Sequence, residues 1–133
     1  MRVFLVRHAE AEPGRPDEPD ELRRLTSHGR DQARDLGRRF AGEGETLDTV
    51  ISSPLVRARE TAEAIAKALD VEPQPDDRLG PGCTADDLRE AVHDRGATVV
   101  AVGHQPDCSE IASALGVDVE GFAPAAWVEI ELP

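Results

Sequence analysis

Arg7 and His8 stand directly after Val3-Phe4-Leu5-Val6, an apolar run of the kind carried by a strand buried on both faces. A guanidinium and an imidazole at the exit of such a strand are costly as structure and natural as an anion-holding pair. The same order recurs at Thr98-Val99-Val100-Ala101-Val102, which runs into Gly103-His104 and a helix-opening Pro106. Between them, the short strand Thr49–Ser52 leads into Ser53-Pro54, with Arg57 close behind. Ligands of open α/β sheets bind outside the carboxyl ends of the strands, so Arg7, His8, Arg57 and His104 are expected to meet at one edge. Two guanidiniums, two imidazoles and helix N-termini together describe a phosphoryl site. Arg7 and Arg57 would chelate the non-bridging oxygens, each charge-assisted contact contributing about 1.5–3 kcal/mol. One imidazole is then free to attack phosphorus while the other donates to the developing charge. Nearby guanidiniums help to keep a nucleophilic histidine neutral. The scheme needs no metal, because arginines can supply the charge neutralisation that magnesium supplies elsewhere.

Strand-like and helix-like segments alternate along the chain, which predicts a three-layer α/β/α sandwich with a mainly parallel sheet in a single domain, residues 1–133. Residues 12–21 hold three prolines and five acids and read as a solvated loop with nothing packed. A helix opens near Thr26 or Ser27, with Ala33, Leu36, Gly37 and Phe40 on one buried stripe and Gly42 near its end. Ser53-Pro54 is expected to start the next helix, the serine oxygen as cap and proline at the first helical position, with Leu55, Ala58, Ala62, Ile65, Ala66 and Leu69 buried. A short strand is expected around Val71–Pro75. Thr84 and Asp87 resemble a capping box opening a third helix through Leu88, Ala91 and Val92. After the strand 98–102, a helix runs from about Pro106 to Leu115, stopped by Gly116. Val128, Ile130 and Leu132 alternate with Trp127, Glu129 and Glu131, the pattern of a half-exposed, antiparallel edge strand.

The formal charge of −12 and a pI of about 4.6 exclude nucleic acid and anionic membrane as general partners, since the summed field repels polyanions. A small phosphorylated group could still enter a local basic pocket. No stretch approaches the roughly 18 apolar residues of a spanning helix, and the N-terminal run is too short for a signal peptide, so a cytoplasmic location is expected. Cys83 and Cys108 are expected to be reduced thiols.

Several other residues of chemical interest read as structure. Arg30, Arg34, Arg38, Arg39 and Arg59 fall on solvated faces, His28 in the first turn of its helix and His93 near the end of the third. The four histidines have no close metal-ligand spacing. Cys83 and Arg89 fit the spacing of cysteine-dependent phosphatases, but the interior holds Asp86 and Asp87, which would repel a phosphate, and the segment reads better as a capped helix. Gly80-Pro81-Gly82 lacks the lysine of a phosphate-binding loop and reads as a turn.

Four segments, Arg7-His8-Ala9, Leu25-Thr26-x-x-Gly29 with Gln32-Ala33, Ser53-Pro54-Leu55-x-Arg57-Ala58 with Thr61-Ala62, and Val102-Gly103-His104-Gln105-Pro106, resemble the histidine phosphatase superfamily across residues 2–106. In particular they are similar to its short branch, the SixA-type phosphohistidine phosphatases. The resemblance implies a phosphoglycerate mutase-like fold without cofactor or metal. It further implies that His8 is the nucleophile forming a phosphohistidine intermediate, that Arg7 and Arg57 bind the phosphoryl oxygens, and that His104 stabilises the transferring group.

Larger members of the superfamily carry extra segments that supply a carboxylic acid to protonate the leaving group, and 133 residues leave little room for one. An alkoxide leaving group without that acid forfeits about 10²–10⁴-fold, whereas the imidazole of phosphohistidine can already carry its proton. The expected substrate is therefore a protein phosphohistidine. A small phosphorylated molecule handled by a phosphomonoesterase, or a module that recognises phosphate without turnover, are the alternatives. Glu10, Glu12, Asp17, Glu18, Asp20 and Glu21 are the acids placed to fold over the pocket.

Overall fold

The computed structural model describes residues 1–42 and 47–133. The elements follow the expected order: β1 (Arg2–Arg7), α1 (Ser27–Ala41), β2 (Thr49–Ser52), α2 (Val56–Leu69), β3 (Pro73–Pro75), α3 (Ala85–Val92), β4 (Thr98–Gly103), α4 (Asp107–Ala114) and β5 (Trp127–Glu131). The strands form a five-stranded sheet in the order β3-β2-β4-β1-β5. β5 lies antiparallel on β1 at the edge, and the other pairings are parallel. This is a three-layer α/β/α domain.

Alternation of side chains along the central strands sorts the core onto two faces. Val3, Leu5, Ile51, Val99 and Ala101 pack with Leu88 and Val92 of α3 and Ile111 of α4. Phe4, Val6, Val50, Val100 and Val102 pack with Leu36 and Phe40 of α1 and Ala58, Ala62 and Ile65 of α2. Trp127 pins the edge strand over this second face through edge-on contacts with Phe4 and Phe40, at 5.5 Å and 5.3 Å between ring centres.

Local chemistry sets most boundaries. Thr26 caps α1, its side chain accepting from Gly29 N, and Thr84 and Asp87 complete a reciprocal capping box on α3. α2 departs from expectation: it begins at Val56, Leu55 is its cap residue, and no side chain caps it. Ser53 lies two residues before the cap position, and its hydroxyl accepts from Leu55 N at 3.3 Å rather than from an amide of the helix. The acidic loop also departs from a purely solvated segment. It contains a 3-10 turn at Asp20–Leu22, and Ala11 bridges antiparallel to Leu25.

Gly29 lets the first turn of α1 press onto the strand exit. A Cβ there would lie 2.0 Å from Glu10 O and 2.9 Å from the Glu10 carbonyl carbon. Helix propensity alone favours alanine over glycine by about 1 kcal/mol, while forcing atoms into a filled site costs about 1–3 kcal/mol or more. Gly29→Ala is therefore expected to lower the urea midpoint of unfolding, and a midpoint at or above wild type would contradict this contact.

Candidate active site

Parallel pairing of β1 with β4 aligns Arg7 with Gly103, and His8 N continues the ladder onto Gly103 O at 3.0 Å. His8 and His104 thus leave neighbouring strands side by side, with ring centres 5.5 Å apart. β2 pairs with the other side of β4, and Ser53 N donates to Val102 O at 3.0 Å, bringing the Ser52-Ser53 exit to the same edge. Arg57 is the second residue of α2, nearer the helix start than the sequence suggested, and is buried. Its charge and that of Arg7 act on the His8 ring. The structure brings all four expected residues together.

Two motif residues, Thr61 and Gln32, together with Glu60, hold this edge in place. Thr61 Oγ1 accepts from Ala9 N at 3.0 Å and donates to Arg57 O at 2.8 Å, tying α2 to the exit of β1. Gln32 Oε1 accepts from Glu10 N at 2.9 Å, and Glu60 Oε1 accepts from Leu25 N at 2.9 Å. Three helix side chains thereby satisfy the backbone of the segments that flank the site.

His8 Nδ1 lies 2.7 Å from Ala9 O. A carbonyl only accepts, so Nδ1 carries the proton and Nε2 keeps its lone pair. Burial is the largest cause that pushes the His8 pKa down to about 4, with the Arg57, Arg7 and Arg23 charges adding to it. Burial also pushes His104 down to about 4, assisted by His8 and Arg57. Both rings are neutral at pH 7, and desolvation outweighs the guanidiniums in making them so. His104 Nε2 lies 2.6 Å from Ser53 Oγ, which also accepts from Leu55 N at 3.3 Å.

The arginines are unevenly engaged. Arg7 Nη1 donates to Phe122 O at 2.9 Å. Arg57 turns both terminal nitrogens to Asp20, Nη1 to its carbonyl at 2.9 Å and Nη2 to Oδ2 at 3.0 Å. Asp20 Oδ1 also accepts from Arg23 Nε at 2.8 Å. Of the acids placed to fold over the pocket, Asp20 is the one bonded to Arg57. Hydrogen bonding from Arg23, with the charge of Arg57 added, holds its carboxyl below the usual range, so it is ionised. Arg23 was not singled out from sequence, although its i,i+3 spacing from Asp20 was a usable signal. Among the described residues, the buried side-chain nitrogens and oxygens without a partner are Arg7 Nε, Arg57 Nε, His104 Nδ1 and Ser52 Oγ. Three of the four belong to the expected site, which concentrates unused hydrogen-bonding capacity there.

The remaining candidates behave as structure. Cys83 and Cys108 are free and buried, and burial pushes both thiols up to about 12, which removes the thiolate that a cysteine-dependent phosphatase needs. His28 lies exposed in the first turn of α1, and His93 caps the C-terminus of α3. Among the described residues no group of three or more His, Cys, Asp or Glu side chains is arranged to hold a metal ion, and no helix is long and apolar enough to cross a membrane.

Comparison with known proteins bears on the family and the fold. The family model of the histidine phosphatase superfamily, branch 1, matches residues 3–80. An uncharacterized protein of Picosynechococcus sp. is 34% identical over 128 residues, covering 91% of this chain and 76% of its own length. The phosphohistidine phosphatase SixA homolog of Haemophilus influenzae is 32% identical over 128 residues, covering 86% of this chain and 77% of that protein. The mitochondrial serine/threonine-protein phosphatase Pgam5 of Drosophila melanogaster is 39% identical over 71 residues, 53% of this chain but 24% of that protein. In fold, the chain superposes on the protein histidine phosphatase SixA complexed with tungstate with a TM-score of 0.85 at 24% identity, covering 99% of this chain and 88% of the other. A putative SixA of Agrobacterium tumefaciens gives a TM-score of 0.81 at 23% identity, covering 98% and 95%. The chain belongs to the histidine phosphatase superfamily, branch 1.

Proposed function

We propose that this protein is a metal-independent phosphatase that passes a phosphoryl group first to His8 and then to water, and that its substrate is phosphohistidine on a partner protein. The observation that carries the reading is the state of His8: neutral, buried, its Nδ1 proton fixed on Ala9 O and its Nε2 lone pair available beside two guanidiniums. A nucleophile needs that lone pair, whereas a pocket that only recognises phosphate has no use for it. The H. influenzae relative supports phosphohistidine as the substrate class.

His8 Nε2 attacks phosphorus in line while the bond to the leaving group breaks, and the electron pair of that bond stays with the leaving group. Arg7 and Arg57 hold the equatorial oxygens, and His104 donates to the charge that develops on them. Water then attacks the phosphohistidine, releasing inorganic phosphate and restoring His8. Because Arg57 meets Asp20 in the present arrangement, the phosphoryl group takes the place of the Asp20 carboxylate on Nη2 and of its carbonyl on Nη1. A SixA protein of the same fold has been captured with tungstate, a tetrahedral oxyanion of the kind this pocket would receive.

Rapid quenching with a labelled phosphoryl donor is expected to leave base-stable, acid-labile label on His8, absent from His8→Ala. Label on any other residue, or turnover that survives His8→Ala, overturns the assignment. Arg57→Ala is expected to lower kcat/KM by about 10²–10³-fold, the scale of removing one preorganised donor to developing charge.

The same neutral histidines make stability depend on pH. Each binds a proton near pH 6.5 when unfolded and at about 4 when folded, so the unfolded state takes up more protons between those values. The stability is fully present above pH 6.5 and falls as the pH drops toward 4. Urea unfolding at pH 5 is expected to give a free energy lower than at pH 7, by at most about 2 kcal/mol for each histidine. An unchanged value would show that the rings are not held neutral by burial.

A further inference from the structure

The mouth of the pocket carries a charge that the four central residues do not account for. The Arg57 side chain is 8% exposed, whereas the Asp20 side chain bonded to it is 62% exposed. His8 is buried at the floor. In-line displacement puts the leaving group opposite the nucleophile; with His8 buried and the Arg57-bound Asp20 side chain exposed, a leaving group that departs to solvent passes Asp20. The two carboxylate oxygens are held differently: Arg23 Nε anchors Oδ1, while Oδ2 rests on Arg57 Nη2. When a phosphoryl group takes over Arg57, Oδ1 keeps its anchor and Oδ2 is released at the leaving-group side.

We propose that Asp20 is a specificity-determining residue, its carboxylate selecting substrates in which phosphorus is bonded to a protonated nitrogen heterocycle and disfavouring anionic oxygen leaving groups. The inference rests on the phosphatase reading and names what the mouth of that site prefers. In a phosphoimidazole protonated at its distal nitrogen, the bond from phosphorus to the substrate ring breaks as the bond to His8 Nε2 forms. The electron pair of the broken bond stays with the ring, which keeps its distal proton and departs as neutral imidazole. Before departure the ring is cationic, and its distal N–H donates to Asp20 Oδ2, which favours the protonated, reactive form. An aryl phosphate instead develops a phenolate against the same carboxylate, and the like charges repel. Arg7, His8, Arg57 and His104 act on the phosphoryl group alone and treat both substrates alike.

The test compares kcat/KM for N-phosphohistidine and for para-nitrophenyl phosphate in wild type, Asp20→Asn and Asp20→Glu. Asp20→Asn is expected to shift the ratio toward the aryl phosphate by about tenfold or more, the scale of removing one unit charge a few ångströms away in a partly screened site. Asp20→Glu is expected to recover part of the preference. Equal losses on both substrates would make Asp20 a support for Arg57, and equal gains would make it a competitor for the phosphoryl pocket. Either result overturns the inference, as does identical behaviour of the asparagine and glutamate variants. Wild type that turns over neither substrate removes the phosphatase reading and this inference with it, whereas turnover with an unshifted ratio removes this inference alone.

Discussion

The register of β1 on β4 is the constraint on which the site depends. Arg7 opposite Gly103, with His8 N bonded to Gly103 O, sets two imidazoles at neighbouring strand exits. A slip of one residue would turn every side chain of β1 to the other face of the sheet. What prevents the slip is apolar: Val3, Val6, Val99, Val100, Ala101 and Val102 are all fully buried, and each face packs against its own pair of helices. The core therefore does more than stabilise the fold. It fixes the separation of the rings, and the polar edge inherits its geometry from residues that perform no chemistry.

Burial and charge then act against each other in a useful way. Desolvation holds both histidines neutral, and the arginines beside them reinforce the effect. Arg57 is buried yet carries a charge that cannot be removed near neutral pH, so it requires an anion. Asp20 supplies one from an otherwise exposed loop. Other buried donors, Arg7 Nε and Arg57 Nε, have no partner among the described residues. Each such group costs about 1–3 kcal/mol in stability, a burden that a fold carries at a site rather than across its core. The overall charge of −12 makes the contrast sharper, because a dianion approaching through a repulsive field meets attraction only within about 8 Å of the guanidiniums, the screening length at physiological salt.

Features governed by near neighbours were legible in the sequence. The Thr84–Asp87 capping box, the alternation of β5, and the apolar strands ending on Arg7-His8 and Gly103-His104 depend on residues a few positions apart or on a simple period. The start of α2 was misread by two residues: the chain bends on past Ser53-Pro54, the Ser53 hydroxyl meets His104 Nε2 and Leu55 N, and the helix begins at Val56 with the apolar Leu55 at the cap position. The docking of Asp20 was legible only as one candidate among six acids, since its choice depends on how the loop from 12 to 21 folds back onto α2. Arg23 was hidden among many arginines of similar local appearance. Gly29, Gln32 and Thr61 were visible as motif letters, and the backbone groups they accommodate at Glu10 and Ala9 give the physical reason for them.

The ionised state of Asp20 also bears on the leaving group. A carboxylate held by two guanidiniums below its usual range is a poor proton donor at neutral pH, so the acid bonded to Arg57 does not replace the one that larger superfamily members bring on extra segments. An alkoxide would have to leave without a proton. A phosphorylated imidazole avoids the difficulty, because the proton it needs is already on its own distal nitrogen and an anionic neighbour makes that proton easier to keep. An ionised carboxylate at this place, which looks like a shortcoming for an ester phosphatase, therefore favours a phosphoramidate. On this view the short loop is an alternative solution to leaving-group activation, in which the substrate brings the acid and the protein brings its counter-charge.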